Sequence, residues 1–382
     1  MSQHMYKKIV IASDSFKGSL SSLEVADAAA EAIAELEPMC EVVKVDVADG
    51  GEGTMDALRH TLGGQKIYVE VSDPLGRPII APYVILDDGR TAVVEMATAS
   101  GLPLLSPDER NPLKTSTYGT GQLIADALER GCRKFLVGIG GSATNDAGMG
   151  MLEALGYKFL DRQGDVLSGC GGALSEVFTI DASSAIPSLS ESEFIVACDV
   201  DSPLYGPKGA ACVFAPQKGA DPKMVQSLDK GLMSFAEAIS RFNGKDISFI
   251  PGAGAAGGLG GGFVAFLNAR LERGVEMVLD AIGFDALIHG ADMIITGEGK
   301  VDFQTLTGKT PFGVAKRARK QGIPVIAIGG CVQINKEEAV EAGFEDVYQV
   351  TPPGMPLQEA MKLDVASENV YQTTLKILSR YE

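Results

Sequence analysis

The apolar positions of this chain change texture twice, and the changes divide it. Residues 7–13 form a short apolar run that reads as a strand ending in Asp14. Ser21 and Glu24 then make an S-x-x-E capping box, and apolar positions continue to Leu36 before Pro38 stops the predicted helix. Residues 41–48 are rich in β-branched side chains and have the length of a buried parallel strand. They end in Asp49-Gly50-Gly51, and a second helix runs to Gly63-Gly64.

Beyond that point the pattern becomes a meander. Residues 66–71, 79–86 and 91–97 are three strand runs with no helix between them, broken by Pro74-Leu75-Gly76 and by the hairpin signal Asp87-Asp88-Gly89. Residues 134–140 read as a strand feeding a glycine-rich turn and another helix. Val225, Leu228, Leu232, Phe235, Ile239 and Phe242 alternate spacings of three and four, which predicts an amphipathic helix. From about Asp292 the β-α-β texture returns, with strands at 293–296, 324–328 and 346–350. A helix over 311–320 is opened by Thr310-Pro311, and an amphipathic helix closes the chain. The expected fold class is α/β, a Rossmann-like parallel-sheet domain from 1–64 plus 288–382 with a second α/β domain, 65–287, inserted. Sites often lie in a cleft between two such domains.

Composition narrows the function. The 382 residues carry 33 Lys+Arg against 50 Asp+Glu, a formal net charge of −17. No nucleic-acid or membrane partner is expected, because either surface needs a basic face. The six cysteines form no C-x-x-C pair, and His4, His60 and His289 lack metal-site spacing. Residues 9–12 are too short for a signal-peptide core, and no apolar run approaches the ~20 residues that span a bilayer. A reduced, cytoplasmic protein is expected. Glycine is in excess, 46 residues where roughly 7% of a chain is usual.

The glycines cluster beside acids, hydroxyls and lysines at expected strand ends, where parallel sheets bind ligands. Asp14-Ser15-Phe16-Lys17-Gly18-Ser19 precedes a helix; Lys17 and free N–H groups there suit an anion, or the acid and hydroxyls only cap backbone. Asp49-Gly50-Gly51-Glu52-Gly53-Thr54 offers oxygen ligands for Mg²⁺ or a substrate hydroxyl, or is a turn with solvated acids. The run 138–146, with Gly140, Gly141, Ser142, Thr144 and Asn145, resembles a phosphate cradle; tight strand–helix packing also selects its glycines but not its hydroxyls. Residues 252–262 read GAGAAGGLGGG, and Gly252, Gly254 and Gly257 match G-x-G-x-x-G. The acid expected some 20 residues further on, at a strand end, is missing, so a flexible loop or hinge is the preferred reading. After residue 296, Glu298, Lys300 and Asp302 again set acids and a lysine behind a strand. Gly308-Lys309-Thr310 imitates the end of a P-loop, but Phe303 stands where the first glycine is required. Such parts suit phosphoryl transfer, whose catalysis is mainly positioning and charge stabilisation.

At these segments the chain resembles the bacterial glycerate kinase family. The matching strings are DSFKGSLSS (14–22), ADGGEGT (48–54), GIGGSATNDAGMGML (138–152), CDVDSPLYGPKGAACVFAPQKGA (198–220), the 252–262 run and TGEGKVDFQTLTGKTPFGVAKRA (296–318), in order along nearly the whole chain. Ser202 stands where the family commonly has Asn. The resemblance implies transfer of the ATP γ-phosphate to D-glycerate, giving 2-phosphoglycerate, with Mg²⁺. On that reading Asp199 is the general base or hydroxyl-orienting group, or else a turn-stabilising acid before Pro203. Lys17, with Asp14, is expected at the reacting groups. Asp49, Glu52 and Glu298 are the candidate Mg²⁺ ligands. Ser15, Gly140, Gly141, Ser142, Thr144, Asn145, Gly254, Gly257, Gly258 and Lys300 are the candidate substrate and phosphate contacts. An NAD-dependent oxidoreductase using Gly252–Gly257, or a non-catalytic sensor of a small hydroxy acid, are the alternatives.

Overall fold

The computed structural model describes residues 6–303 and 305–380; His4 and Gln304 lie outside the described residues. The chain divides into two compact units. One holds the residues up to Asp49 and from Val278 onward, and the other runs from Gly50 to Met277.

The first unit is a five-stranded sheet in the order Asp346–Gln349, Val325–Val332, Met293–Val301, Lys8–Ile11, Glu41–Lys44. Every pairing in it is parallel. Ile9, Ile11, Met293, Ile295, Ile326 and Ile328 alternate along the three central strands and share one face. That face is covered by Ser22–Leu36, through Val25, Ala29 and Ile33, and by Leu363–Arg380, through Ala366, Val370 and Ile377. The Ser21–Glu24 capping box forms as the sequence predicts, with Glu24 N–H on Ser21 Oγ and Ser21 N–H on Glu24 Oε2. Glu41–Lys44 is the sheet edge and only part-buried, where a buried strand was expected, because it has a sheet neighbour on one side alone. Met293–Val301 extends past its expected end. Gly297, Gly299 and Gly330 let it stay paired with Val325–Val332, since a Cβ on Gly330 would lie 2.7 Å from the Gly299 carbonyl oxygen.

The second unit has a six-stranded sheet ordered Arg270–Glu272, Glu193–Ala197, Lys134–Gly138, Thr91–Glu95, Pro78–Ile85, Gln65–Ser72. The first four are mutually parallel, and the last two join antiparallel as the meander signal predicts. A three-stranded sheet, Val166–Leu167, Lys158–Leu160, Thr179–Asp181, accompanies it. The amphipathic pattern becomes Pro222–Asn243, whose Leu228, Leu232, Phe235 and Ile239 are fully buried.

The divisions between the units fall earlier than residues 65 and 288. Thr54–Leu62 packs on the second unit's sheet, where Met55 N–H donates to Glu95 Oε1 at 2.8 Å. Asp280 and Asp285 belong with the first unit, because both pair with Arg317.

The 252–262 run is not a loop. It forms the helix Ala255–Leu267, kinked where Ala256, Gly257 and Gly258 adopt positive φ. Its glycines are contact surfaces: a Cβ on Gly257 would lie 2.1 Å from the Thr144 carbonyl oxygen, and one on Gly262 2.4 Å from that of Ala147. Close packing of two backbones, not flexibility, requires them.

Candidate active site

The first unit's strand order reverses between Lys8–Ile11 and Met293–Val301, since the chain moves from the first strand to one side and later to the other. In open parallel sheets such a switch point, at the carboxyl ends of the strands, is where ligands bind. Two of the expected acids come together there. Asp14 N–H donates to the Gly297 carbonyl at 2.9 Å, continuing the parallel pairing beyond the strand end. The Asp14 carboxylate accepts from Ser15 N–H at 2.6 Å and from Thr310 Oγ1 at 2.9 Å. Glu298, on the next strand, is buried and accepts from Thr305 Oγ1 and, at 3.3 Å, from Lys309 Nζ. The 16–20 turn that carries Lys17 is closed by Phe16 N–H on the Leu20 carbonyl at 2.8 Å, and leaves Lys17 exposed.

Asp14, Ser15, Lys17, Glu298 and Lys309 line a cavity of about 540 Å³ within the first unit. The charged part of its lining is Asp14, Asp49, Glu298, Lys17, Lys300 and Lys309. The apolar part includes Val350, Pro352, Pro353, Met355, Met361 and Ala366. The segment after the strand Asp346–Gln349 supplies that apolar wall, and the sequence reading missed it. The available signal was Pro352-Pro353-Gly354, a turn at the carboxyl end of a predicted parallel strand.

Electrostatics in the charged part are unfavourable to its carboxylates. Burial, then the negative charge of Asp49, pushes the Asp14 carboxyl above its ordinary value, against the opposing Ser15 and Thr310 bonds and the Lys17 charge. Burial also raises Glu298, while Thr305 and Lys309 hold it down. An added cation relieves both acids.

Among the described residues no group of three His, Cys, Asp or Glu side chains forms a ready-made metal site. Glu52 is exposed. Glu298 is already engaged by Thr305 and Lys309. A Mg²⁺ bound with a nucleotide asks less of the protein, usually one or two carboxylates beside the phosphates. Asp14 and Asp49, mutually repelling and in one cavity, fit that requirement. Lys300 is exposed and ion-pairs with Asp302 at 3.0 Å.

In the second unit, Asp199 follows the strand Glu193–Ala197 and is exposed, with Oδ1 accepting from Gly274 N–H at 3.0 Å. Arg273 donates to the Asp199 carbonyl and, at 3.0 Å, to Asp201 Oδ2. Gly140 and Gly141 are exposed at the end of Lys134–Gly138, whereas Ser142, Thr144 and Asn145 are buried. Thr144 Oγ1 and both side-chain polar atoms of Asn145 have no hydrogen-bond partner among the described residues. The same loop holds a residue the sequence reading did not single out, Lys218, which donates to Ser142 Oγ at 2.7 Å and to the Thr144 carbonyl at 2.6 Å. A lysine in Pro216-Gln217-Lys218-Gly219 carries no local sign of burial, yet it is only 2% exposed.

The glycines of the 252–262 run are bonded and packed within the protein. Gly254 N–H donates to the Ser202 carbonyl and Gly258 N–H to that of Gly254, so neither presents its N–H to a phosphate. Gly257 is pressed against Thr144. No strand immediately precedes this run, so the dinucleotide fingerprint lacks its required context.

Comparison with known proteins bears on what this geometry serves. The family model described as the glycerate kinase family matches residues 9–382. A glycerate kinase of Halalkalibacterium halodurans is 47% identical over 367 residues, covering 95% of this chain and 97% of that protein. A glycerate 2-kinase of Escherichia coli is 44% identical over 355 residues, 93% of each. A crystal structure from Salmonella typhimurium LT2, described as a glycerate kinase 2, superposes with a TM-score of 0.90 at 43% identity, covering 98% of both chains. With a family match that starts in the first strand and runs to the chain's end, and relatives aligned over nearly their full lengths, this chain belongs to the glycerate kinase family.

Proposed function

We propose that the chain transfers the γ-phosphate of ATP, carried with Mg²⁺, to a hydroxyl of D-glycerate and releases 2-phosphoglycerate. The observation that carries the reading is the cavity at the first unit's switch point, lined by both charged and apolar groups. At about 540 Å³ it is sized for a nucleotide-like ligand rather than for a three-carbon acid alone. Its apolar part suits a base and sugar, and its lysines suit a polyphosphate.

In this reading Lys17, Lys300 and Lys309 neutralise phosphate oxygens, and Asp14 and Asp49 hold the Mg²⁺. When bound, that ion draws charge from the β- and γ-phosphates. Glu298 holds Lys309 in place, and Ser15 supports Asp14. Asp199 takes or orients the proton of the attacking hydroxyl. Gly140, Gly141, Ser142, Thr144 and Asn145 contribute oxyanion contacts. The E. coli relative's name, glycerate 2-kinase, supports the choice of the 2-hydroxyl.

The test is ADP release measured with MgATP and each enantiomer of glycerate. D-Glycerate-dependent ADP release that is lost in Asp14→Asn supports the reading. ADP release that is indifferent to glycerate overturns it.

A further inference from the structure

The buried polar cluster of the second unit has a directional property. Lys218 Nζ lies 2.7 Å from Ser142 Oγ and 2.6 Å from the Thr144 carbonyl oxygen. An ammonium has donors and no acceptor, so the Ser142 oxygen must accept this bond. The hydroxyl's single hydrogen is then directed elsewhere. Ser142 adjoins Gly140 and Gly141, which are exposed, while its own residue is 8% exposed. The loop is held on its other side: Ala143 N–H donates to the Ser100 carbonyl at 2.9 Å, and Thr115 Oγ1 to the Ala143 carbonyl at 3.0 Å. Beside Ser142 stand Thr144 Oγ1 and the Asn145 amide, fully buried and unpartnered among the described residues.

We infer that Lys218 is a positioning residue that fixes the Ser142 hydroxyl as a donor to an anionic oxygen of the substrate pair, and so tunes affinity for that oxyanion. The inference deepens the proposed function and rests on it. The ligand chemistry is an oxyanion, either the carboxylate of the hydroxy acid or a phosphate of the nucleotide.

Burial lowers the Lys218 ammonium to about 7, opposed by the charge of Asp146. Asp146 is itself anchored by Thr117 N–H and Oγ1, both at 2.8 Å, and by Gly148 and Gly150 N–H. Arg110 packs on the neighbouring Gly219 through its carbonyl and Cβ, and its Nε is buried without a hydrogen-bond partner among the described residues. Once neutral, the Lys218 amine has a lone pair and can accept from Ser142, so the hydrogen otherwise directed away from Lys218 turns toward it. Oxyanion affinity therefore falls as pH rises through neutrality.

The experiment measures equilibrium binding of D-glycerate and, separately, of MgADP, from pH 6 to 9, for the wild type, Ser142→Ala, Lys218→Met and Lys218→Arg. We expect one of the two probes to bind at least tenfold more weakly to Ser142→Ala and to show no pH step near neutrality, whereas the wild type shows it. Whichever probe responds identifies the carboxylate or the phosphate as the oxyanion. Lys218→Arg, a donor that stays charged, should retain affinity above pH 7, a result that a merely structural lysine does not produce. Ser142→Ala folds without a buried charge to replace, so it decides the matter even where Lys218→Met does not fold. Unchanged affinity and pH dependence for both probes in Ser142→Ala overturns the inference and leaves the kinase reading standing. A wild type that binds neither probe overturns the kinase reading, and the inference with it.

Discussion

Asp14 and Thr310 are separated by 296 positions in the chain, yet Thr310 Oγ1 donates to Asp14 Oδ2 across 2.9 Å. The bond ties the end of the first strand to the start of the helix Thr310–Lys320, on either side of the point where the strand order reverses. Thr310 fixes the orientation of the carboxylate assigned to the cation. Thr310→Val should therefore lower kcat/KM by roughly 5- to 10-fold, the worth of one charge-assisted hydrogen bond, with the fold unchanged by circular dichroism.

Asp14 is held in an environment that resists its charge. Its folded pKa is raised, first by burial and then by Asp49. A carboxyl raised in this way contributes stability below its unfolded value and loses it as pH climbs through the folded value, so at neutral pH the ionised group opposes folding. Asp14→Asn should remove activity by about 100-fold or more while raising Tm by roughly 2 °C. Mg²⁺ should stabilise the wild type in thermal melts and leave Asp14→Asn unmoved. A variant that loses both activity and stability contradicts this account of the carboxylate.

The apolar part of the cavity sets a separate expectation. Met355 lines it, as do Pro352 and Pro353. Met355→Trp should fill that part of the cavity and raise the KM for ATP by about 10-fold or more, leaving the KM for D-glycerate within about twofold, as expected where a substrate's remote part is bound by shape. Equal effects on both substrates would remove the base from this part.

Asp199→Asn keeps an oxygen able to accept from Gly274 N–H, the contact that holds Asp199 Oδ1 at 3.0 Å. The fold should survive the change. Loss of a general base costs about 10²- to 10⁴-fold in kcat, and rapid-quench measurement of the chemical step checks it. Near-normal turnover in a folded Asp199→Asn would return Asp199 to a turn-stabilising role.

Gly257→Ala tests the packing of the glycine-rich helix. The new Cβ would fall 2.1 Å from the Thr144 carbonyl oxygen, at a φ of +70°. Overpacking costs about 1–3 kcal/mol, and left-handed backbone adds about 1–2 kcal/mol for a side chain. Urea denaturation should show the midpoint fall accordingly. A flexible hinge would tolerate the alanine.

Local signals explain what was legible beforehand. The Ser21–Glu24 capping box, the 66–97 meander and the heptad-like spacing of Leu228, Leu232 and Phe235 depend on neighbours within a few residues, and all three form. The glycine strings pointed to strand ends because strand and turn chemistry is local. Sheet order, by contrast, is set by which strands pair across hundreds of residues, so the switch point joining Asp14 to Glu298 was hidden. The wall formed by 350–361 depends on the same long-range pairing. The packing of Gly254 and Gly257 was hidden because a missing side chain looks the same whether a phosphate or a carbonyl fills the space. Lys218 was invisible for a related reason: its burial is created by elements that are not its sequence neighbours.

The central claim is phosphoryl transfer to the 2-hydroxyl of D-glycerate, and product identification tests it most directly. The protein is incubated with MgATP and ¹³C-labelled D-glycerate, and the product is read by ³¹P and ¹³C NMR. A phosphorus-coupled C2, with ADP formed in equal amount, is the predicted result. Phosphorus coupling at C3, or glycerate left unlabelled by phosphate while the protein is folded, would contradict it.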